Sequence, residues 1–179
     1  MSNLSQKRIL IIVAYQDYNE TELEIPRDLF GMFGAEISIA SSSLGTAIGK
    51  AGSSIEVDYL LSDIHPEDYD AYIFIGGMGS IEYQESEQAH RIARGAVNND
   101  RILAAICIAP LILAKAGVLV GKRATVWTDS PDGDPVKILQ DSRAVYTAQD
   151  VVVDGKIVTA NGPQAARQFA NAIVDLLAK

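Results

Sequence analysis

The sequence is poor in the residues that cross-link chains and bind metal ions. It contains one cysteine and two histidines in 179 residues. One cysteine cannot form a disulfide within the chain, which favours a reducing compartment. No second histidine or cysteine stands at ligand spacing beside His65, so no bound metal is predicted. We expect a protein that needs neither a metal nor an organic cofactor.

Positive charge is also scarce, and no stretch of the chain is apolar enough to cross a membrane. Fifteen Lys and Arg against 23 Asp and Glu give a net charge of −8 and a pI near 4.7. This excess of negative charge argues against nucleic acid or an anionic membrane as the main partner. The apolar run at residues 9–14 is too short for a signal sequence or a membrane span. A cytoplasmic location is therefore expected.

The rest of the composition is that of an ordinary globular protein. Hydrophobic residues make up 48% and charged residues 21% of the chain, which excludes disordered, collagenous and low-complexity proteins. A chain of this length forms one domain with a buried core, and no linker or repeat divides it. We predict a flexible polar segment over residues 1–7 and a single domain over residues 8–179.

Strands alternate with helices along the chain. Apolar or alternating stretches predict strands over residues 8–14, 36–40, 71–75 and 102–106. Helical spacing predicts helices over residues 22–33, 85–98, 109–116, 134–140 and 164–178. Hairpins are predicted within residues 46–59 and over residues 151–159. The alternation indicates an α/β fold: a doubly wound, mostly parallel sheet with helices on both faces, a flavodoxin-like three-layer sandwich with small β-hairpin additions.

The strongest chemical signal is Cys107, between the strand predicted over residues 102–106 and the helix that carries Pro110 in its first turn. A residue at such a strand-to-helix turn points its side chain out at the sheet edge, as the nucleophile of serine hydrolases does. The N-terminus of the helix is expected to lower the pKa of the thiol. The alternative is that a lone cysteine is simply a small buried hydrophobic residue.

A glycine-rich loop, Gly76-Gly77-Met78-Gly79, follows the strand predicted over residues 71–75. Paired glycines let the backbone turn tightly and approach a ligand. One N–H of this loop and the N–H of Ile108 could bind an oxyanion in a reaction at Cys107. A dinucleotide loop is disfavoured because Glu82 replaces the third glycine of that motif. A tight loop without chemistry remains the other interpretation.

Three carboxylates stand close together in the segment YNETELEIP, at Glu20, Glu22 and Glu24. Acidic residues at the start of a helix favour its dipole, which is sufficient to explain all three. A functional interpretation requires one of them to face the thiol of Cys107 and to form a hydrogen bond with it. Composition and spacing do not identify which one.

Five segments together resemble the ThiJ/PfpI superfamily, which has a class I glutamine-amidotransferase-like fold. They occur in the order typical of that superfamily and cover nearly the whole chain: RILIIVA, ETELEIP, IFIGGMG, AAICIAP and IVTANGP. The resemblance implies that Cys107 is the nucleophile, that Glu22 is the acid beside it, and that Gly77 and Ile108 donate the oxyanion N–H groups. It also implies a homodimer or a larger homo-oligomer.

The chain departs from the superfamily pattern in its histidines. In the protease-like and glyoxalase III branches a histidine directly follows the cysteine, where this chain has Ile108. In the deglycase branch a histidine lies about twenty residues further on, where this chain has Trp127. Trp127 is either a core aromatic residue or a wall of the Cys107 pocket. His65 is expected in a loop and His90 on a helix surface, and neither is expected near Cys107.

Three functions are consistent with these features. The first is a stress-defence enzyme of the glyoxalase III or deglycase type that acts on small reactive carbonyls, with Cys107 as nucleophile and Glu22 as proton shuttle. The second is a non-enzymatic oxidative-stress sensor or chaperone with an oxidisable Cys107. The third is a PfpI-type hydrolase or hydratase, of which a peptidase is disfavoured because no histidine follows Cys107. The first is the function we predict.

Overall fold

A computed structural model describes residues 3–179. The strands are β1 (Arg8–Ile12), β2 (Gln16–Tyr18), β3 (Glu36–Ser41), β4 (Gly45–Gly49), β5 (Ser54–Val57), β6 (Tyr59–Leu60), β7 (Ala71–Phe74), β8 (Ile102–Ile106), β9 (Arg123–Ala124), β10 (Val145–Tyr146), β11 (Val151–Asp154) and β12 (Ile157–Ala160). The helices are α1 (Glu20–Met32), α2 (Glu87–Asn98), α3 (Pro110–Lys115), α4 (Asp134–Asp141) and α5 (Ala166–Leu177). Short 3-10 helices cover Leu61–Asp63, Met78–Glu85 and Pro163–Ala165.

The main sheet has seven strands in the order β11-β12-β8-β7-β1-β3-β6. All neighbouring pairs are parallel except β11 and β12, which form the predicted hairpin. The order reverses beside β1, because β3 and β6 lie on one side of it and β7, β8 and β12 on the other. Loops that follow β1, β7 and β8 therefore meet at the carboxyl edge, where open α/β sheets bind their ligands.

Helices cover both faces of this sheet and create two hydrophobic cores. The first core lies between the sheet and α2, α3 and α4, and the second between the sheet and α1 and α5. Strand β1 feeds both: Leu10 and Ile12 enter the first core, and Ile9 and Ile11 enter the second. Burying one such side chain stabilises the fold by about 1.5–3 kcal/mol. The continuous apolar sequence of β1 follows from this burial on both faces, and the predicted three-layer α/β fold is confirmed.

The N-terminal boundary of the packed structure differs from the prediction. Leu4 was assigned to a flexible segment over residues 1–7, but its side chain is fully buried in the second core and its N–H donates to Phe33 O at 2.8 Å. Residues 1 and 2 of that segment lie outside the described residues. Burial of the apolar Leu4 side chain stabilises the folded state and holds this part of the terminus against α1. The packed chain therefore starts before residue 8.

Several short elements were not predicted. Strands β4 and β5 form the predicted antiparallel hairpin, but β2 joins it as a third strand. Strands β9 and β10 form a separate parallel pair of two residues each. Elements this short contain too few residues to show a hydrophobic period, so sequence patterning does not detect them. The 3-10 helix at Met78–Glu85 was missed for a similar reason, and it forms one side of the site described next.

Candidate active site

Cys107 occupies the turn between β8 and α3, as predicted. Its φ of 66° lies in the left-handed region, which costs a non-glycine residue about 1–3 kcal/mol. Two backbone hydrogen bonds hold this conformation: Cys107 N donates to Ala160 O at 2.9 Å, and Trp127 N donates to Cys107 O at 2.8 Å. The strained turn directs the side chain towards the carboxyl edge of the sheet, and the thiol is partly exposed there.

Glu22 lies beside Cys107 in the first turn of α1. This helix begins at Glu20, two residues earlier than predicted, because Asn19 caps it: the Asn19 side chain accepts a hydrogen bond from Glu22 N at 3.3 Å. The cap places the Glu22 side chain inward, where it is completely buried. Its Oε2 accepts a hydrogen bond from Gly76 N at 2.9 Å, and its Oε1 is buried without a hydrogen-bond partner among residues 3–179. The carboxyl group lies next to the Cys107 thiol, where each group shifts the pKa of the other.

The other two carboxylates of this segment, Glu20 and Glu24, lie away from the thiol. Glu20 accepts a hydrogen bond from Ala51 N, which ties α1 to the turn after β4. Glu24 is exposed on the outer face of α1. Of the three carboxylates, therefore, Glu22 is the one that the structure brings to the thiol.

The glycine loop is required for these groups to approach each other. A Cβ atom on Gly76 would stand 2.6 Å from Cys107 Cβ and 2.6 Å from Glu22 Oε2, closer than real Cβ contacts come. Gly77 has a φ of 104°, which favours glycine. Its N–H and the N–H of Ile108 lie on the side of the Cys107 sulfur and favour the thiolate. The two donors inferred from the resemblance thus lie at the thiol.

Burial controls the proton affinity of both groups. It raises the pKa of Glu22 from 4.5 to about 7, although the adjacent Cys107 thiol and the Gly76 N–H act in the opposite direction. Burial, followed by the negative charge and the proximity of the Glu22 carboxyl, raises the pKa of Cys107 to about 12. The N–H groups of Gly77 and Ile108 lower the pKa of the thiol, but their effect is smaller.

The predicted low pKa of Cys107 is therefore wrong. The expected effect of the backbone N–H groups is present, but it is outweighed by desolvation and by the neighbouring carboxylate. The two groups act as a coupled pair that loses one proton near pH 7 and keeps the other up to about pH 12. At neutral pH the pair thus holds one labile proton between a nucleophile and a base.

A pocket of about 400 Å³ opens above this pair at the carboxyl edge. Most of its lining is apolar, and Lys50 and Asn19 are the polar side chains that line it besides Cys107. The residues that line it are Asn19, Lys50, Gly77, Met78, Ile81, Cys107, Ile108, Trp127 and Pro163. Trp127 is 45% exposed and forms a wall of the pocket rather than part of the core. Glu22 lies beneath the floor, behind Cys107 and Gly76.

Neither histidine lines this pocket. His90 was expected on a helix surface, but it is buried against the 3-10 helix, where its Nε2 atom is 2.8 Å from Gln84 O. It is buried because the 3-10 helix at Met78–Glu85 packs beside the first turn of α2. The sequence did not indicate this 3-10 helix. His65 is exposed in the loop before β7. A Cys-His pair is therefore absent from the described part of the site, and Glu22 is the titratable group at the thiol.

The structure also bears on metals and membranes. Within residues 3–179, no group of three or more His, Cys, Asp or Glu side chains is arranged to hold a metal ion. The same part of the chain contains no helix of the length and apolarity that a membrane crossing requires.

The fold and this site define a class of α/β proteins with a cysteine on a strained strand-to-helix turn at the carboxyl edge of a parallel sheet. The chain belongs to the DJ-1/PfpI family, whose family model matches residues 7–176. This confirms the resemblance that the five sequence segments indicated.

Curated relatives cover most of the chain at moderate identity. An uncharacterized protein of Methanocaldococcus jannaschii is 32% identical over 99% of this chain and 85% of its own length. A protein named Deglycase PH1704, from Pyrococcus horikoshii, is 31% identical over 95% of this chain and 99% of its own. A Caenorhabditis elegans protein named glutathione-independent glyoxalase DJR-1.2 is 27% identical over 97% and 90% of the two chains.

A solved structure is similar over nearly the same length. The ThiJ/PfpI domain protein of Brachyspira murdochii superposes with a TM-score of 0.90 and is 30% identical, with 95% of each chain covered. The named activities of the relatives are enzymatic, which is consistent with the predicted class of protein.

The sequence did not assign five of the pocket residues to the site: Asn19, Lys50, Met78, Ile81 and Pro163. Asn19 carried a usable signal, since an Asn directly before an acidic helix start is typical of a helix cap. Lys50 lies in the turn of the predicted hairpin, but its position beside the site depends on β2, which the sequence did not indicate. Met78 and Ile81 belong to the 3-10 helix, which was also not predicted.

Proposed function

We propose that this protein is a cysteine-dependent enzyme that converts small 2-oxoaldehydes to 2-hydroxy acids, a reaction of the glyoxalase III or deglycase type. The observation that carries the proposal is the buried Glu22 carboxyl beside Cys107, with a pKa raised to about 7. A general base performs best when its pKa lies near the working pH. The relatives named deglycase and glyoxalase support the same reaction class.

The first step is addition of the thiol to the aldehyde. Cys107 Sγ forms a bond to the aldehyde carbon while the Glu22 carboxylate takes the thiol proton. The electron pair of the carbonyl moves to its oxygen, where the N–H groups of Gly77 and Ile108 would stabilise the negative charge. Glu22 then returns the proton to that oxygen, which gives a hemithioacetal.

The second step moves a hydrogen along the substrate and needs no external oxidant. The Glu22 carboxylate takes the proton from the former aldehyde carbon, and the electron pair forms an enediolate with the neighbouring ketone. Glu22 returns the proton to the former ketone carbon, and the hydroxyl proton on the former aldehyde carbon moves to the former ketone oxygen. The electron pair released from that O–H bond forms the C=O of a 2-hydroxy thioester on Cys107. Water then attacks the thioester carbon, the C–S bond breaks, and the 2-hydroxy acid and the free thiol are released. The sum is one 2-oxoaldehyde plus one water to one 2-hydroxy acid.

The test is lactate formation from methylglyoxal by the purified chain. We expect turnover in the wild type, none in Cys107→Ser, and a loss of at least about 100-fold in Glu22→Gln, which cannot accept a proton. Glu24→Gln is the matched control on the same helix, and it should keep full activity because Glu24 is exposed. Wild-type lactate formation no faster than that of Cys107→Ser would reject the enzyme.

A second candidate function, an oxidation sensor, is favoured by one observation. The N–H groups of Gly77 and Ile108 and the Glu22 carboxyl surround the sulfur, where they would bind the oxygens of a sulfinate. Graded peroxide followed by intact-mass spectrometry tests it. The sensor predicts a stable product with two added oxygens in the wild type and an altered rate or product in Glu22→Gln but not in Glu20→Gln or Glu24→Gln. The third function, a hydrolase or hydratase, has no such observation, and the lack of a histidine in the pocket disfavours a peptidase.

We further propose a homodimer or larger homo-oligomer in the cytoplasm. The resemblance supports the assembly, and the lone cysteine favours a reducing compartment. Sedimentation equilibrium at micromolar concentration checks the first point. A mass of 19.2 kDa, that of one chain, would contradict it.

A further inference from the structure

The pocket is larger than a three-carbon aldehyde requires, and its charge is not balanced. Its volume of about 400 Å³ falls among those of pockets that bind larger small molecules, which start at about 300 Å³. Of the described residues that line it, Lys50 alone carries a formal positive charge, and none carries a carboxylate. In a chain with a net charge of −8, one cation at the mouth of an apolar pocket needs an explanation.

The position of Lys50 is fixed by its backbone. Lys50 follows β4, and its N–H donates to Tyr18 O at 2.9 Å. Tyr18 directly precedes Asn19, the residue that caps α1. The carboxylate of Glu20 lies beside the neighbouring residue Gly49, where it accepts the N–H of Ala51. Within residues 3–179, Lys50 forms no ion pair. Its ammonium group is thus available to a ligand in the pocket.

The side chains that line the pocket indicate the chemistry of its ligand. Met78, Ile81 and Trp127 are exposed apolar side chains around the mouth, so the middle of a bound molecule contacts hydrocarbon. Cys107 takes the aldehyde at the floor, and Lys50 meets whatever lies further along the molecule. A carboxylate there would replace part of its hydration by an ion pair with the ammonium group.

We propose that Lys50 selects 2-oxoaldehydes whose carbon chain ends in a carboxylate. This inference rests on the proposed function, because the aldehyde end reacts by the same steps at Cys107. The product is then a 2-hydroxy dicarboxylic acid. Neutral 2-oxoaldehydes such as methylglyoxal fill only part of the pocket and are expected to be the poorer substrates.

One experiment tests the charge without requiring any turnover. 5-Bromo-4-oxopentanoate and its methyl ester both alkylate Cys107 at the bromomethyl carbon with loss of bromide, and only the acid carries a carboxylate at the far end of its chain. We expect Lys50→Met to lower the ratio of the alkylation rate of the acid to that of the ester by about 5-fold, a modest factor because Lys50 is exposed. Lys50→Arg should keep the ratio. Lys137→Met, on α4 away from the pocket, is the matched control and should also keep it.

A second experiment tests the substrate. We compare kcat/KM for 4,5-dioxopentanoate and for its neutral methyl ester. The wild type should prefer the acid by at least about 5-fold, and Lys50→Met should lose that preference through KM, since the ion pair is made equally in the ground state and the transition state.

The outcomes separate the two proposals. An unchanged alkylation ratio in Lys50→Met, or equal turnover of acid and ester by the wild type, overturns the role of Lys50 and leaves the enzyme intact. Turnover of neither compound, nor of methylglyoxal, overturns the proposed function and the aldehyde with it. In that case a lower alkylation ratio in Lys50→Met still establishes an anion-binding position in the pocket of Cys107.

Discussion

The two edges of the sheet each carry a cavity of similar size, but they hold charge in opposite ways. The cavity at the amino edge, about 360 Å³, is lined by Lys7, Asp70, Asp100, Arg101, Ile102, Lys156, Leu176, Leu177 and Lys179. Four of its six charged side chains form ion pairs near the surface: Arg101 Nη1 lies 3.6 Å from Asp70 Oδ1, and Lys156 Nζ lies 2.6 Å from Asp100 Oδ2. At the carboxyl edge, the Glu22 carboxyl is fully buried and has a thiol as its neighbour instead of a cation.

This difference shows that cavity volume does not identify a reactive site. Exposed ion pairs contribute about 0–1 kcal/mol and leave the groups ionised. A buried carboxyl without a cationic partner instead holds its proton up to neutral pH. The carboxyl edge therefore holds a carboxyl group, Glu22, that can donate and accept a proton near neutral pH. The ion-paired carboxylates at the amino edge stay ionised at that pH.

The largest effect is expected from filling the space between the two reactive side chains. Gly76→Ala places a methyl group 2.6 Å from both Cys107 Cβ and Glu22 Oε2, so the thiol and the carboxyl must separate. We expect methylglyoxal turnover to fall at least about 100-fold and the free energy of unfolding to fall by about 3 kcal/mol. Gly31→Ala is the control, because no atom lies within 4 Å of its Cβ position. Steady-state kinetics and urea unfolding measure both effects, and wild-type turnover in Gly76→Ala would contradict the geometry.

The next effect is on the pH dependence of stability. Because the folded-state pKa of Glu22 is raised from 4.5 to about 7, folding favours the protonated carboxyl, and this stability is lost as the pH rises through that window. We expect the wild type to lose about 3 kcal/mol relative to Glu22→Gln between about pH 4.5 and pH 7, at about 1.4 kcal/mol per pKa unit. Urea unfolding across a pH series measures this difference, and a constant difference would mean that the carboxyl is not desolvated.

The same pKa sets the pH dependence of activity. The Glu22 carboxylate is the base, so kcat/KM for methylglyoxal should be full above about pH 7 and fall about tenfold for each pH unit below it. The amino edge supplies the comparison: Asp70→Asn should leave this profile unchanged, because Asp70 lies at the opposite end of β7. A profile that rises only towards about pH 12 would assign the ionisation to the thiol alone.

A smaller effect separates backbone strain from reactivity. Both edges carry a non-glycine residue with positive φ, Cys107 at 66° and Asp100 at 55°. At each position the glycine variant should be about 1 kcal/mol more stable than the alanine variant, because glycine adopts this conformation without strain. Urea unfolding of the four variants measures it. Equal stability of Cys107→Gly and Cys107→Ala would show that the turn at the thiol is unstrained.

The smallest effect is expected at the amino edge itself. Lys156→Met removes an ion pair whose side chains are largely exposed, and it should change the free energy of unfolding by less than about 1 kcal/mol. Methylglyoxal turnover should not change. A loss of activity in this variant would show that the two edges are coupled.

The parts of the fold that sequence predicts are those in which one physical pattern dominates. The continuous apolar stretches of β1, β7 and β8 could be assigned because burial on both faces leaves few other residue types possible. The turn at Cys107 could be placed because it lies between such a strand and a helix with Pro110 in its first turn. The choice of Glu22 among three acids came only from the resemblance.

The remaining features depend on distance in space rather than in sequence. The direction of the pKa shift of Cys107 could not be predicted, because it depends on a balance between N–H donors and a carboxylate that lies 85 positions earlier in the chain. His90 was misplaced because its burial depends on the 3-10 helix packed over it. Lys50 gave no signal, since an exposed lysine after a short strand is common.

The hydrogen bond from Trp127 N to Cys107 O holds the backbone of a fluorescent residue next to the reactive turn. Trp127 is the sole tryptophan of the chain, it is 45% exposed, and it forms a wall of the same pocket as the thiol. A molecule that enters the pocket displaces water from the indole ring, and the emission of the whole protein changes with it. Binding, covalent addition and release at Cys107 can thus be followed by fluorescence in real time, without a label and without a coupled assay.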